Sequence, residues 1–166
     1  MQTIRARMTY LRNGEAFAAV ALPAVFSMIW NTSGAPVEWG MRGAAMAMVV
    51  YILLQGMLYW QLKLQSTVRH QPLPAYFQPL YRFFQYSNVV AISGVAALIA
   101  VTGAASTSAA DLWWSCGLLA FAVLEHINYY HYQLMYDTRG AFDYVRRNGR
   151  LRKAALGLDL QRRKTV

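Results

Sequence analysis

Fifteen of the sixteen Lys and Arg residues fall in segments that four long apolar stretches would leave on one side of a membrane. The stretches cover roughly residues 14–33, 39–62, 87–107 and 111–136. Arg5, Arg7 and Arg12 precede the first. Lys63, Arg69 and Arg82 lie between the second and the third. Nine more, Arg139, Arg146, Arg147, Arg150, Arg152, Lys153, Arg162, Arg163 and Lys164, follow the fourth. Arg42 alone falls near a connection on the opposite side. Cations beside spans stay in the cytoplasm. The pattern therefore predicts four transmembrane helices with both termini inside, in a plasma (inner) membrane.

Composition agrees. Only 14% of the residues are charged and 57% are hydrophobic, against about 25% charged in an ordinary soluble domain. No charged residue occurs from Phe83 to Ala110. At 1.5 Å rise per residue, about 20 residues cross a ~30 Å hydrocarbon core, and each stretch reaches that length. The expected fold is an all-α, four-helix membrane bundle over residues 1–139. Residues 140–166 are expected to form a basic cytoplasmic tail, with short surface helices over 143–152 and 151–163. The first stretch is read as a retained helix, since it is longer than the apolar core of a signal peptide. Pro23 is expected to kink it.

The formal charge of +9 points to anionic lipid beside the tail, where each cation contributes about 1 kcal/mol. Nucleic acid is not needed to explain it. Cys116 is the single cysteine and is expected to pack as a small residue.

The short outer connections, residues 34–38 and 106–110, make two helical hairpins. Trp30, Trp39, Trp113 and Trp114 would mark the outer interface, and Tyr59, Trp60, Tyr132 and Tyr136 the inner one. Residues 66–86 contain Pro72 and Pro74, then a group of aromatic rings around Arg82. This segment is expected at headgroup level. The third stretch is rich in Gly, Ala and Ser, which let membrane helices approach closely. It is expected to be either the central helix or a homodimer interface.

Residues 12–69 align with 82–139 at a constant offset of 70, with eleven identities in 58 positions. Both hairpins start inside, so a duplication would relate them by an axis along the membrane normal. The offset sets Gln55 against Glu125 and Tyr59 against Tyr129.

Glu125 is the one acid deep in an apolar stretch, and an ionisable group there is a functional candidate by default. At 100° per residue, Glu125, Asn128, Tyr129, Tyr132 and Tyr136 share one helical face. His126, Tyr130, Gln133 and Asp137 form the adjacent stripe. The candidate site is a cytoplasm-facing polar pocket of Glu125, His126, Asn128, Tyr129, Tyr132 and Gln133, with Gln55 and Tyr59 opposite as partners of Glu125.

No cofactor or metal is expected. His126 and His131 diverge by about 140°, and no set of convergent ligands or nucleophile–base pair is visible. The favoured function is a non-enzymatic membrane protein binding a small ligand, a lipid headgroup or a partner protein. The alternative is a membrane enzyme or a dimeric proton-coupled carrier using Glu125 as its base.

The threading is testable with single cysteines in a Cys116→Ser background. Gln71→Cys and Gln161→Cys should be shielded from an impermeant thiol reagent in intact cells. Ser33→Cys and Ser108→Cys should react with it. Labelling of Gln161→Cys from outside would overturn the topology.

Overall fold

A computed structural model describes residues 2–34, 36–105, 108–135 and 139–161. Among these the chain is all-helical, with one isolated β-bridge and no strand. Four long helices, α1 (Gln2–Thr32), α2 (Trp39–Arg69), α3 (Phe77–Ala104) and α4 (Ala109–Tyr130), are followed by two short ones, α5 (Arg139–Asn148) and α6 (Ala155–Gln161). α1, α2 and α3 are long and apolar enough to cross a membrane. α4 has 22 residues, ~33 Å at helical rise. Asp111, Glu125 and His126 interrupt its apolar run.

The contacts fix an up-down bundle. At one end the Trp30 and Trp39 rings meet, and Arg42 reaches Asp111. At the other end Arg12 donates to Gln61, and Tyr59 packs on Phe77. α1 and α2 therefore run antiparallel, as do α2 and α3, while α2 and α4 run the same way. The basic residues Arg7, Arg12, Lys63, Arg152 and Lys153 belong to the second end.

α2 is the hub. It packs on α1, α3 and α4, and it supplies more of the buried core than any other helix, from Met41 to Leu62. The expectation that the third helix is central is corrected here. Ser93, Gly94, Ala96, Ala97 and Ala100 of α3 are exposed. α2 takes the centre because Ala45, Val49, Ile52 and Gly56 give it a compact buried side.

Arg42, at the Trp30–Trp39 end, is neutralised within the bundle. Arg42 and Asp111 pair at 2.7 Å with both side chains buried. Asp111 also accepts from the Glu38 backbone N–H at 3.1 Å and from Ser108 Oγ at 2.6 Å. Ser108 in turn caps α4 by accepting from the Asp111 N–H, as N-cap serines do. The Arg42 guanidinium lies 5.3 Å from the centre of the Trp30 ring, a cation–π distance. Trp30, Trp39, Trp114 and Phe26 form one ring cluster. Trp30 is buried in this cluster, whereas Trp39 and Trp113 are exposed.

Three boundaries differ from the sequence reading. α1 is continuous through Pro23. α3 begins at Phe77, so about half of segment 66–86 forms its first turns. Phe77 and Tyr81 are buried against Tyr59. α4 ends at Tyr130 instead of residue 136, because its last carbonyls find other partners. The Ile127 carbonyl accepts from both the His131 and the Tyr132 N–H, and Asn128 Oδ1 accepts from the Leu134 N–H at 2.8 Å. The chain then extends, and Tyr132 bridges to Lys153.

That bridge folds the tail onto the bundle. The Gln133 N–H donates to the Arg152 carbonyl, and the Ala154 N–H to that of His131. Gly157 lies so close to the Tyr130 carbonyl that a Cβ there would be 2.4 Å from its oxygen, so only glycine fits. Leu156 and Ala154 are buried. Asp159, buried at the inner end, accepts from Tyr59 Oη at 2.8 Å and pairs with Lys63. Residues 152–161 thus belong to the bundle.

Candidate functional site at the basic end

Two polar assemblies occupy the half of the bundle towards the basic end. The first is a buried network joining three helices. Gln55 of α2 and Asn88 of α3 exchange a pair of amide hydrogen bonds, at 2.8 and 2.9 Å. Tyr130 Oη donates to Gln55 Oε1 at 3.0 Å, and Tyr81 Oη to the Gln55 carbonyl at 3.0 Å. His126 Nδ1 lies 3.3 Å from Asn88 Nδ2. All five residues are buried. In a hydrocarbon environment each unmet polar group costs several kcal/mol, so the network demands one register of the three helices.

The second assembly is a cavity of about 410 Å³. It lies between α1, the inner part of α2, the C-terminal end of α4 and the returning segment 152–158. Its polar lining includes Arg7, Glu15, Asn128, Tyr129, Gln133, Arg152 and Lys153. Tyr59, Trp60, Leu11 and Leu156 form much of its apolar wall. Three cations therefore face one carboxylate.

Tyr129 is 5% exposed. Its hydroxyl packs on the Gly56 backbone, where a Cβ would be 2.3 Å away. Gly56 is thus required by the close approach of α4. The same hydroxyl lies against the Glu15 carboxylate. Trp60 Nε1 is buried without an acceptor among the described residues.

The eight residues expected to form one pocket are divided. Tyr59, Asn128, Tyr129 and Gln133 line the cavity. Gln55 and His126 belong to the buried network. Glu125 is half-buried and accepts from Asn128 Nδ2 at 3.2 Å, so the expected pairing with Gln55 or Tyr59 does not occur. Gln55 is committed to Asn88 and Tyr130, and Tyr59 to Asp159. Tyr132 leaves the helical face when α4 ends and is exposed. Tyr136 and Asp137 lie outside the described residues, as do Arg162, Arg163 and Lys164. His131 is exposed at the end of α4, with its ring 5.6 Å from that of His126.

Glu15, Trp60 and Asn88 were missed in the sequence. Glu15 stands at the first position but one of the first apolar stretch, where an acid is out of place. Asn88 is the one amide in the uncharged third stretch. Among the described residues, no three His, Cys, Asp or Glu side chains group so as to hold a metal. Comparisons with protein-family models, curated proteins and solved structures find no match to this chain.

Asn88→Leu should leave Gln55 and His126 short of partners, at about 1–3 kcal/mol per buried group. Tyr51→Phe removes one part-buried bond to Ser87 and should cost about 0.5–1.5 kcal/mol. Melting in detergent checks the order. An Asn88→Leu variant as stable as wild type would remove the network from the stability of the bundle.

Proposed function

We propose that this is a small integral membrane protein whose cavity at the basic end binds an anionic, amphipathic ligand, in the first place a phospholipid headgroup. In this reading all four long helices cross the bilayer, with both termini cytoplasmic, and α4 carries its polar residues towards the bundle interior. The support is the chain's charge asymmetry and the placement of Arg7, Lys63, Arg152 and Lys153 at one end.

The observation that carries the binding reading is the cavity lining. Arg7, Arg152 and Lys153 suit a phosphate, since guanidinium and ammonium groups recognise it through charge-assisted bonds. The wall of Trp60, Leu11 and Leu156 suits the glycerol and upper chain of a lipid. Pockets that fix a ligand are mostly apolar with a few placed polar groups. Glu15 follows Arg12 by three residues, close to where a headgroup would lie. Anionic lipid beside α5, with Arg146 and Arg147 in its last turn, belongs to the same reading.

The carrier or enzyme reading rests on Glu125. Its hydrogen-bond partner is Asn128, one turn away on its own helix, which favours a positioning role. A duplication of the two hairpins fits the meeting of Tyr59 and Tyr129 at one cavity. A homodimer through α3 fits its exposed small residues.

The test is titration of the purified protein in detergent with short-chain phosphatidylglycerol, followed by melting temperature. Wild type should be stabilised in a saturable manner. Arg152→Gln combined with Lys153→Gln should weaken binding at least about tenfold, the effect of losing charge-assisted bonds. Equal, non-saturable effects on both proteins would reject the cavity as a lipid site.

A further inference from the structure

The cavity has walls of two kinds. α1, α2 and α4 each supply a side, and α2 packs on both of the others. The remaining side, residues 152–156 and Leu158, is the returning tail. Within it α6 has only seven residues. Isolated helices shorter than about 12 residues are marginal in water. α6 is therefore helical because it is docked. Its folding and its docking are one event, of the kind that opens locally without unfolding the rest.

The contacts that dock it are identifiable. Backbone bonds at Gln133–Arg152 and Ala154–His131 flank the bridge. Leu156 enters the core, and Gly157 sits against the Tyr130 carbonyl. Beyond these, the buried Asp159 carboxylate accepts from Tyr59 Oη at 2.8 Å and pairs with Lys63. Upstream, Gly149 turns the chain with a φ of 60°, and Arg150 to Lys153 are exposed on their outer side. A buried carboxylate is tolerated only with its partners in place, so this pair is the strongest single tie on the tail. Neither Asp159 nor Lys63 is among the residues that line the cavity, whereas Tyr59 is.

We propose that residues 152–161 dock and undock as one unit, that the Asp159–Lys63 pair sets this equilibrium, and that the docked form is the one that binds. Asp159 is then a positioning residue. It touches no ligand, and it acts by holding Arg152 and Lys153 at the cavity. A ligand that binds only the docked form draws the tail down by mass action. Conversely, the apparent affinity falls with the docked fraction. This rests on the cavity being a site for an anionic headgroup, and it adds how that site is completed.

The experiment reads hydrogen exchange of the peptide covering 152–161, and titration with short-chain phosphatidylglycerol, on the full chain in detergent. In wild type, lipid at ten times its Kd should slow exchange of that peptide about tenfold. Asp159→Lys sets two cations against each other. It should speed exchange there and weaken the lipid at least about tenfold, as a docked fraction below one tenth requires. The added positive charge alone would strengthen an anionic lipid, so the sign separates the two effects. Combining it with Lys63→Glu reverses the pair and should restore both readings. Asp159→Asn should move both the same way by a smaller factor, which preserves the test if Asp159→Lys does not fold. Unchanged exchange in Asp159→Lys would make the tail a fixed wall and overturn the proposal. So would faster exchange with undiminished binding, or a charge swap that restores neither reading, and in these cases the headgroup site stands. A wild-type protein that does not bind the lipid would reject the headgroup site itself, and the coupling with it.

Discussion

The Gln55 side chain presents one amide to two neighbouring helices, and the rest of the inner bundle depends on that arrangement. Its Nε2 donates to Asn88, and its Oε1 accepts from Asn88 and Tyr130. The backbone carbonyl at the same residue accepts from Tyr81. Interhelical hydrogen bonds in membranes average only about 0.6 kcal/mol. Their effect here is therefore on register more than on stability. Sliding α3 or α4 by one residue would strand several buried polar groups at once. With α4 held by Tyr130, its neighbour Tyr129 is pressed onto Gly56 and towards α1. The Glu15–Tyr129 meeting follows from the lock at Gln55.

The two ends of the bundle are fastened by different means. The outer end has one buried ion pair, Arg42–Asp111, surrounded by rings and by the capped start of α4. Removing one partner of such a pair costs about 3–5 kcal/mol, because the other charge is left uncompensated. The inner end is closed by the tail. A bridge at Tyr132 and Lys153, the close contact at Gly157 and the Asp159 anchor hold residues 152–161 in place. The tail brings Arg152 and Lys153 to the cavity, so binding chemistry and chain folding are joined at this point.

The all-helical fold and its long helices were legible in the sequence as apolar runs of helical length. The end of α4 was not legible. Its residues 131–135 continue the helical pattern on paper, and only pairing with segment 152–154, some twenty residues on, draws them out of it. The choice of α2 over α3 as hub was also hidden. Small residues permit close packing equally at a core or at an exposed face, and α3 uses them at the latter. Of the site, Asn128 and Tyr129 were legible on one polar face of the fourth stretch, Gln133 on the adjacent stripe and Tyr59 opposite them on the second stretch. Glu15, at the edge of the first apolar stretch, is less conspicuous on paper than Glu125, deep within the fourth.

The central claim is that this bundle encloses a lipid-like ligand at its basic end. Native mass spectrometry of protein extracted from its own membrane in a mild detergent tests it most directly. One strongly retained adduct per chain is predicted, of anionic phospholipid mass, persisting at activation energies that strip other lipids. A bare chain, or a statistical ladder of lipids lost together as activation rises, would contradict it.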